Sequence, residues 1–195
     1  MKKNVRPAKA QEVRINSGRL RGRKIAFPNL PDLRPTLGRT RETLLNWLRP
    51  ELADAVCLDL FAGSGVLGIE AASNGAGRVV LVEQQRDTAR SLQQSLQQLS
   101  LENQCELVNG NALDYLQRCG ECFDVIFVDP PFNQPDLLQK AVTSICEQKL
   151  LRGALYVEYQ QGHQDLIDET LIANGLTASK TAKAGTTRCV LARRV

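Results

Sequence analysis

The segment FDVIFVDPPFNQP, residues 123–135, carries an apolar run straight into Asp129, Pro130, Pro131 and Phe132. Proline fixes φ and has no N–H, so a strand that ends this way presents carbonyl and carboxylate oxygens without competing backbone donors. A rigid array of acceptors suits an exocyclic amine on a planar ring. The lone pair of such an amine is delocalised until its N–H groups are gripped and the nitrogen is pyramidalised and aimed at an electrophile. Asp129 and the Pro130 carbonyl are the expected grips, Pro131 holds the chain extended, and Phe132 is placed to stack on the ring. A separate strong base is unnecessary, because the nitrogen becomes acidic once alkylated and Asp129 can receive its proton late. Ionised Asp only accepts hydrogen bonds. Guanine offers adjacent donors at N1 and N2, whereas adenine sets a donor beside an acceptor, which tilts the expectation toward guanine N2.

A second constellation lies upstream. LDLFAGSGVLG, residues 58–68, places Gly63, Gly65 and Gly68 in a G-x-G-x-x-G pattern between an apolar run and a helical one. Glycines let the backbone turn sharply and approach a ligand closely. Glu83 ends the next apolar run, where a carboxylate can accept from both hydroxyls of an adenosine ribose. This pattern also suits NAD. Against NAD, Asp59 stands beside the loop residues Phe61, Ala62, Ser64 and Gly65, where an anion repels a pyrophosphate but favours the amino group and sulfonium of S-adenosylmethionine. In VNGNALDY, Asn111 can hydrogen-bond an adenine edge, with Ala112 or Leu113 packed near its face; the same Asn111 also reads as a helix N-cap.

These residues need a scaffold that gathers them. VCLDLFAG, RVVLVE, CELVNG, FDVIFVDP and ALYVEYQ read as buried parallel strands, being nearly continuous apolar runs bounded by turn residues. Helical stretches near 65–74, 87–100, 111–118 and 135–149 fit right-handed crossovers, and two further strands are expected near Leu176–Lys180 and in TTRCVLARR. The expected fold is an α/β, doubly wound, Rossmann-like seven-stranded sheet of the class I S-adenosylmethionine-dependent methyltransferase type, in which the fourth strand lies beside the first and ligands gather at that switch point.

Charge divides the chain. Residues 1–49 hold 13 Lys+Arg against 3 Asp+Glu, leaving 12 against 18 in residues 50–195. We therefore expect a basic extension over 1–49 and a methyltransferase domain over 50–195. VRINSGRLRGRKIAF, residues 13–27, reads as a short hairpin about Gly18 and Gly22 that displays Arg14, Arg19, Arg21, Arg23 and Lys24, and proline closes it at Pro28. RPTLGRTRETLLNWL opens a helix with Thr36 as N-cap and Leu44, Leu45, Trp47 and Leu48 at helical spacing. The bland alternative is a solubilising tail; the sharper one is a polyanion clamp, since Lys and Arg gain affinity for nucleic acid by releasing condensed counterions.

Six cysteines at 57, 105, 119, 122, 146 and 189 fall mostly in apolar segments, and Cys119 and Cys122 alone form a C-x-x-C pair. With no second pair and a single distant histidine, His163, no metal site is expected and the thiols read as small hydrophobes. His163 reads as a loop residue. No apolar leader or long apolar run is present, so the expected setting is cytoplasmic, with no membrane partner; a monomeric chain is a separate expectation.

Taken together, LDLFAGSGVLGIEA, VDPPF, LRPTLGRTRETLLNWL and the basic SGRLRGRKI resemble the RsmD family of bacterial small-subunit ribosomal RNA guanine-N2 methyltransferases, of the guanine-966 type. The likeness covers nearly the whole chain, and the R-P-T-x-x-R-x-R-E element with its hairpin is its specific part. It implies methyl transfer from S-adenosylmethionine, leaving S-adenosylhomocysteine, to one guanine of 16S ribosomal RNA on an assembled or assembling small subunit. It also implies that Arg34, Thr36, Arg39 and Arg41 contact RNA or close over the cofactor. Gly38, Leu20 and Leu45 depart from the residues common in that family. Competing readings are a DNA adenine-N6 or tRNA guanine-N2 methyltransferase, a nicotinamide-dependent oxidoreductase, and a catalytically silent RNA-binding assembly factor.

Overall fold

The computed structural model describes residues 11–28, 38–131 and 134–195. A two-stranded antiparallel hairpin, β1 (Gln11–Arg14) and β2 (Lys24–Phe27), precedes helix α1 (Gly38–Leu48). The body then alternates β3 (Val56–Asp59), α2 (Val66–Ser73), β4 (Arg78–Glu83), α3 (Arg86–Gln98), β5 (Cys105–Asn109), α4 (Ala112–Arg118), β6 (Phe123–Val128), α5 (Pro135–Glu147) and β7 (Leu151–Gln160). It closes with α6 (Gln164–Ala173), β8 (Leu176–Ala184) and β9 (Thr187–Arg194). The seven body strands form one sheet in the order β5-β4-β3-β6-β7-β9-β8, with β9 antiparallel to both neighbours. The strand order reverses between β3 and β6, so the first and fourth body strands are adjacent, as the alternation of apolar and helical segments predicts.

Alternation along each strand divides the interior into two layers. Cys57, Val79, Leu81, Val125, Phe127 and Tyr156 face α1, α2 and α3, while Leu58, Val80, Ile126, Val128 and Leu155 face α4, α5 and α6. Helix α3 shows the sequence logic: Ala89, Leu92 and Leu96 share one face and are buried, and the remaining positions are mostly polar.

The hairpin is part of the first layer rather than an appendage on a tether. Val13, Ile15, Leu20, Ile25 and Phe27 join the same core as Leu44, Leu48, Ile69, Leu92 and Leu96. Its turn rests on the end of α2. The Arg19 N–H donates to the Ser73 carbonyl at 2.8 Å, and the Leu20 N–H donates to Ser73 Oγ at 2.9 Å. Gly18 makes this possible: its φ is +74°, and a Cβ there would lie 2.0 Å from the Ser73 oxygen. The outer carbonyl of Ala26 is taken by the hydroxyls of Ser91 and Ser95 on α3.

Two expectations need adjustment. Strand β8 runs four residues beyond Lys180, to Ala184, because its partner β9 continues the ladder to Thr187. Helix α6 was not expected from its pattern, and His163 lies in a single 3-10 turn, Gln161–His163, that leads into it. Thr36, the expected cap of α1, lies outside the described residues.

Candidate active site

The site forms where β3, β4 and β6 end. After β3 the chain turns through Phe61, Ala62, Gly63, Ser64 and Gly65 into α2, with Gly63 at φ +54° and Gly65 at φ +77°, both in the left-handed region. Gly65 has a second constraint: a Cβ there would sit 2.3 Å from Leu92 Cδ1. Its glycine character thus serves the seating of α2 against α3 as much as any approach of ligand to backbone.

Two carboxylates organise this loop. Glu83 Oε2 accepts the Gly63 N–H at 2.8 Å, and Oε1 accepts the Gln85 N–H at 2.6 Å. Burial raises its pKa, against the pull of those N–H donors. Asp59 is 1% exposed and its Oδ2 accepts the Gly68 N–H at 2.9 Å. Burial pushes its pKa up to about 7; the Gly68 N–H opposes this, and the charges of Asp129 and Glu83 add to it. An acid so placed is held near the point of ionisation and gains from any cation that arrives.

Asn111 is the N-cap of α4: its Oδ1 accepts the N–H groups of Leu113 at 2.9 Å and Asp114 at 3.2 Å. This leaves Nδ2 as the atom that can serve a ring nitrogen. Ala112 beside it is buried.

Asp129 follows β6 and is half-buried, Pro130 is buried and Pro131 is exposed. Phe132 lies outside the described residues. Asp59 pairs in register with Leu81 on one side and Phe127 on the other, and Phe127 pairs with Tyr156. Two residues further along the same face come Glu83, Asp129 and Glu158, one on each strand or its extension. Glu158 was not singled out in the sequence, although a charge inside the otherwise apolar ALYVEYQ is a readable signal. It is 3% exposed and accepts the Tyr156 hydroxyl at 2.8 Å.

The basic residues are gathered differently from the expectation. Arg41 is 3% exposed, and its Nη1 donates to Glu70 Oε1 and to the Arg14 carbonyl, both at 3.0 Å. Glu70, on α2, also accepts the N–H of Asn16 at 2.6 Å and of Ser17 at 3.3 Å. Arg41 therefore fastens the extension to the body, its charge met by Glu70. Arg19 and Arg23 are exposed and reach Gln104 Oε1 at 2.6 Å and the Gln98 carbonyl at 2.9 Å. Arg21 between them is exposed, and Lys24 pairs with Glu12 at 2.6 Å. Ser73, Gln98 and Gln104 close helices or precede strands at the amino edge of the sheet, so this turn sits at the rim opposite Asp129. Given the six residues of β4, the two rims are about 20 Å apart. Arg34 lies outside the described residues and the Arg39 side chain is not described. Among the described residues no group of three or more His, Cys, Asp or Glu is arranged to hold a metal, and all six cysteines are free thiols. No described helix is long and apolar enough to cross a membrane.

The sheet order, the glycine turn after its first strand and the acid ending its second define a class I methyltransferase fold. The same fold recurs in magnesium protoporphyrin IX methyltransferase of Synechocystis, solved with bound S-adenosylmethionine, at TM-score 0.67 and 19% identity over 80% of this chain and 79% of that one. A family model described as conserved hypothetical protein 95 matches residues 13–193. Ribosomal RNA small subunit methyltransferase D of Escherichia coli K12 is 42% identical over 75% of this chain and 74% of its own length. The Haemophilus influenzae protein of the same name is 42% identical over 83% and 86%. A solved Haemophilus influenzae methylase, HI0767, superposes at TM-score 0.76 with 37% identity, covering 93% of this chain and 98% of that one. The chain belongs to the ribosomal RNA small subunit methyltransferase D family.

Proposed function

We propose that this protein transfers a methyl group from S-adenosylmethionine to the exocyclic N2 of a guanine in 16S ribosomal RNA, on the small subunit or its precursor. The observation that carries the reading is the placement of Asp129-Pro130-Pro131 at the switch point, beside the buried Asp59 and the glycine turn. The residues fit the cofactor. An acid held near ionisation beside Glu83 favours a ligand bearing an ammonium and a sulfonium and disfavours a pyrophosphate. Glu83 would take the ribose hydroxyls, the segment from Asp59 through Phe61, Ala62, Gly63, Ser64 and Gly65 the methionine portion, and Asn111 with Ala112 the adenine. When bound, the cofactor supplies an electrophilic methyl group on sulfur.

Asp129 and the Pro130 carbonyl then accept the two N2 hydrogens and turn the nitrogen lone pair toward that methyl. Asp129 would receive the proton that the amine sheds on taking the methyl group the cofactor would supply. Phe132 is assigned the stacking role on the base. A guanine in an unpaired loop can be splayed into such a pocket at lower cost than one held in a duplex. The arginines of the hairpin turn position the RNA, together with Arg34 and Arg39, and the base is chosen in the pocket. We extend the reading to guanine-966 as the target, to cytoplasmic action and to a monomeric enzyme.

The deciding experiment is transfer of labelled methyl to small subunits from cells lacking the enzyme, followed by mass mapping of the modified nucleotide. We expect a single N2-methylguanine. An unlabelled subunit, or label on another base or atom, overturns the reading.

A further inference from the structure

Glu158 lies within β7 and is 3% exposed. The β6–β7 ladder ends with Phe127 opposite Tyr156 and Val128 opposite Val157, and Asp129 and Glu158 are the next residue on each. Strand alternation puts Glu158 on the Tyr156 face, and Tyr156 feels the charges of both Glu158 and Asp129. Tyr156, fully buried, donates its hydroxyl to Glu158 Oε2 at 2.8 Å and so fixes how the carboxylate is turned.

We propose that Glu158 is the residue that distinguishes guanine from adenine, accepting the N1–H of the base while Asp129 and the Pro130 carbonyl hold the N2 amine. The inference rests on the reading of the target as a guanine amine. Guanine turned this way offers three hydrogens, one on N1 and two on N2, to three acceptors. Adenine in the same pose turns the lone pair of N1 toward a carboxylate, which repels it. Asp129 alone, with its neighbour carbonyl, would grip either amine; the second acid supplies the rejection.

The test compares kcat/KM on two RNAs that differ at the target position, one with guanine and one with 2-aminopurine, which keeps the N2 amine but has a lone pair at N1. Wild-type protein should prefer guanine by at least about 100-fold, because the analogue leaves a buried acceptor facing an acceptor. Glu158→Gln, whose amide can turn an N–H toward N1, should bring the preference within about 10-fold by using 2-aminopurine better than wild type does. An unchanged preference in Glu158→Gln, with both substrates slowed alike, overturns the proposal, since that is the behaviour of a residue that only supports the strand. Should that variant fail to fold, wild type and Tyr156→Phe decide. Equal use of both bases by wild type overturns the proposal, and a weakened preference in Tyr156→Phe supports it. Wild type that methylates neither RNA when each is presented in a reconstituted small subunit sinks the functional reading itself, an outcome distinct from active enzyme without preference.

Discussion

The Glu83 carboxylate bridges the backbone N–H groups of Gly63 and Gln85, at 2.8 and 2.6 Å, and so ties the turn after β3 to the end of β4. Glu83→Gln keeps the shape but turns an NH2 group toward one of those donors. We expect cofactor affinity to fall by about 10- to 100-fold and stability by about 1–3 kcal/mol, the cost of a buried donor left facing a donor. Calorimetric titration with S-adenosylmethionine and urea unfolding measure the two effects separately.

Asp59 gives the cofactor step a pH dependence. Its folded-state pKa of about 7 lies above that of an exposed carboxylate, so between roughly pH 4 and 7 the native state holds a proton that the unfolded chain has lost. The contribution of Asp59 to stability accordingly falls as pH rises through that window and is level above it. A bound cation expels the proton. Affinity for S-adenosylmethionine should therefore rise about 10-fold from pH 6 to pH 8. Calorimetry in buffers of different ionisation heat should show proton release near pH 7, and Asp59→Asn should abolish both effects.

Asp129→Asn preserves size and replaces an acceptor with a group that opposes an amine hydrogen. Turnover should drop by about 1000-fold or more while cofactor affinity stays within a few-fold. Single-turnover methyl transfer and calorimetry make the comparison. Retained turnover rules out the grip assigned to this residue.

Breaking the Arg41–Glu70 pair should be felt as stability. Arg41→Ala leaves the Glu70 charge buried, 0% exposed, and we expect a loss of about 3–5 kcal/mol in urea unfolding. Pairing Arg41→Met with Glu70→Gln should recover part of that, because Gln still accepts the Asn16 N–H and no lone charge remains.

Arg21→Ala combined with Arg23→Ala should weaken RNA binding and reduce the slope of log K against log salt by roughly 1.5, the value for two phosphate contacts. Binding titrations from low to moderate salt read it directly. An unchanged slope assigns the turn to solubility alone.

Much of this architecture was legible because its signals are local. Apolar runs such as RVVLVE and FDVIFV must be buried on both faces, and the turn residues between them fix where helices begin, so β4, β6 and α4 fall within a residue or two of expectation. The acid at the end of β4 and the Asp-Pro-Pro after β6 follow from the same reading. What escaped depends on contacts between distant segments. Nothing near Arg41 in sequence reveals that Glu70, twenty-nine residues away, will neutralise it, and an arginine-rich stretch looks the same whether its charges face solvent or core. Gly65 reads as a residue for a sharp turn and a close approach of ligand, and the further constraint, a Leu92 methyl in the space its Cβ would need, is invisible in the sequence. Helix α6 escaped because only Ile167, Thr170 and Leu171 of its ten residues are buried, too few to mark a periodic face.

The arginine turn and the acid grip stand on opposite rims of one rigid sheet, and Gly18 pressed against Ser73 leaves no slack between them. On the proposed reading the protein would act as a fixed gauge: an RNA fragment that supplies only the target loop would fill one jaw, and a particle that also reaches the far rim would fill both. Short hairpins should accordingly serve as poorly retained substrates, and a long footprint on the ribosomal particle would mark where the second jaw closes.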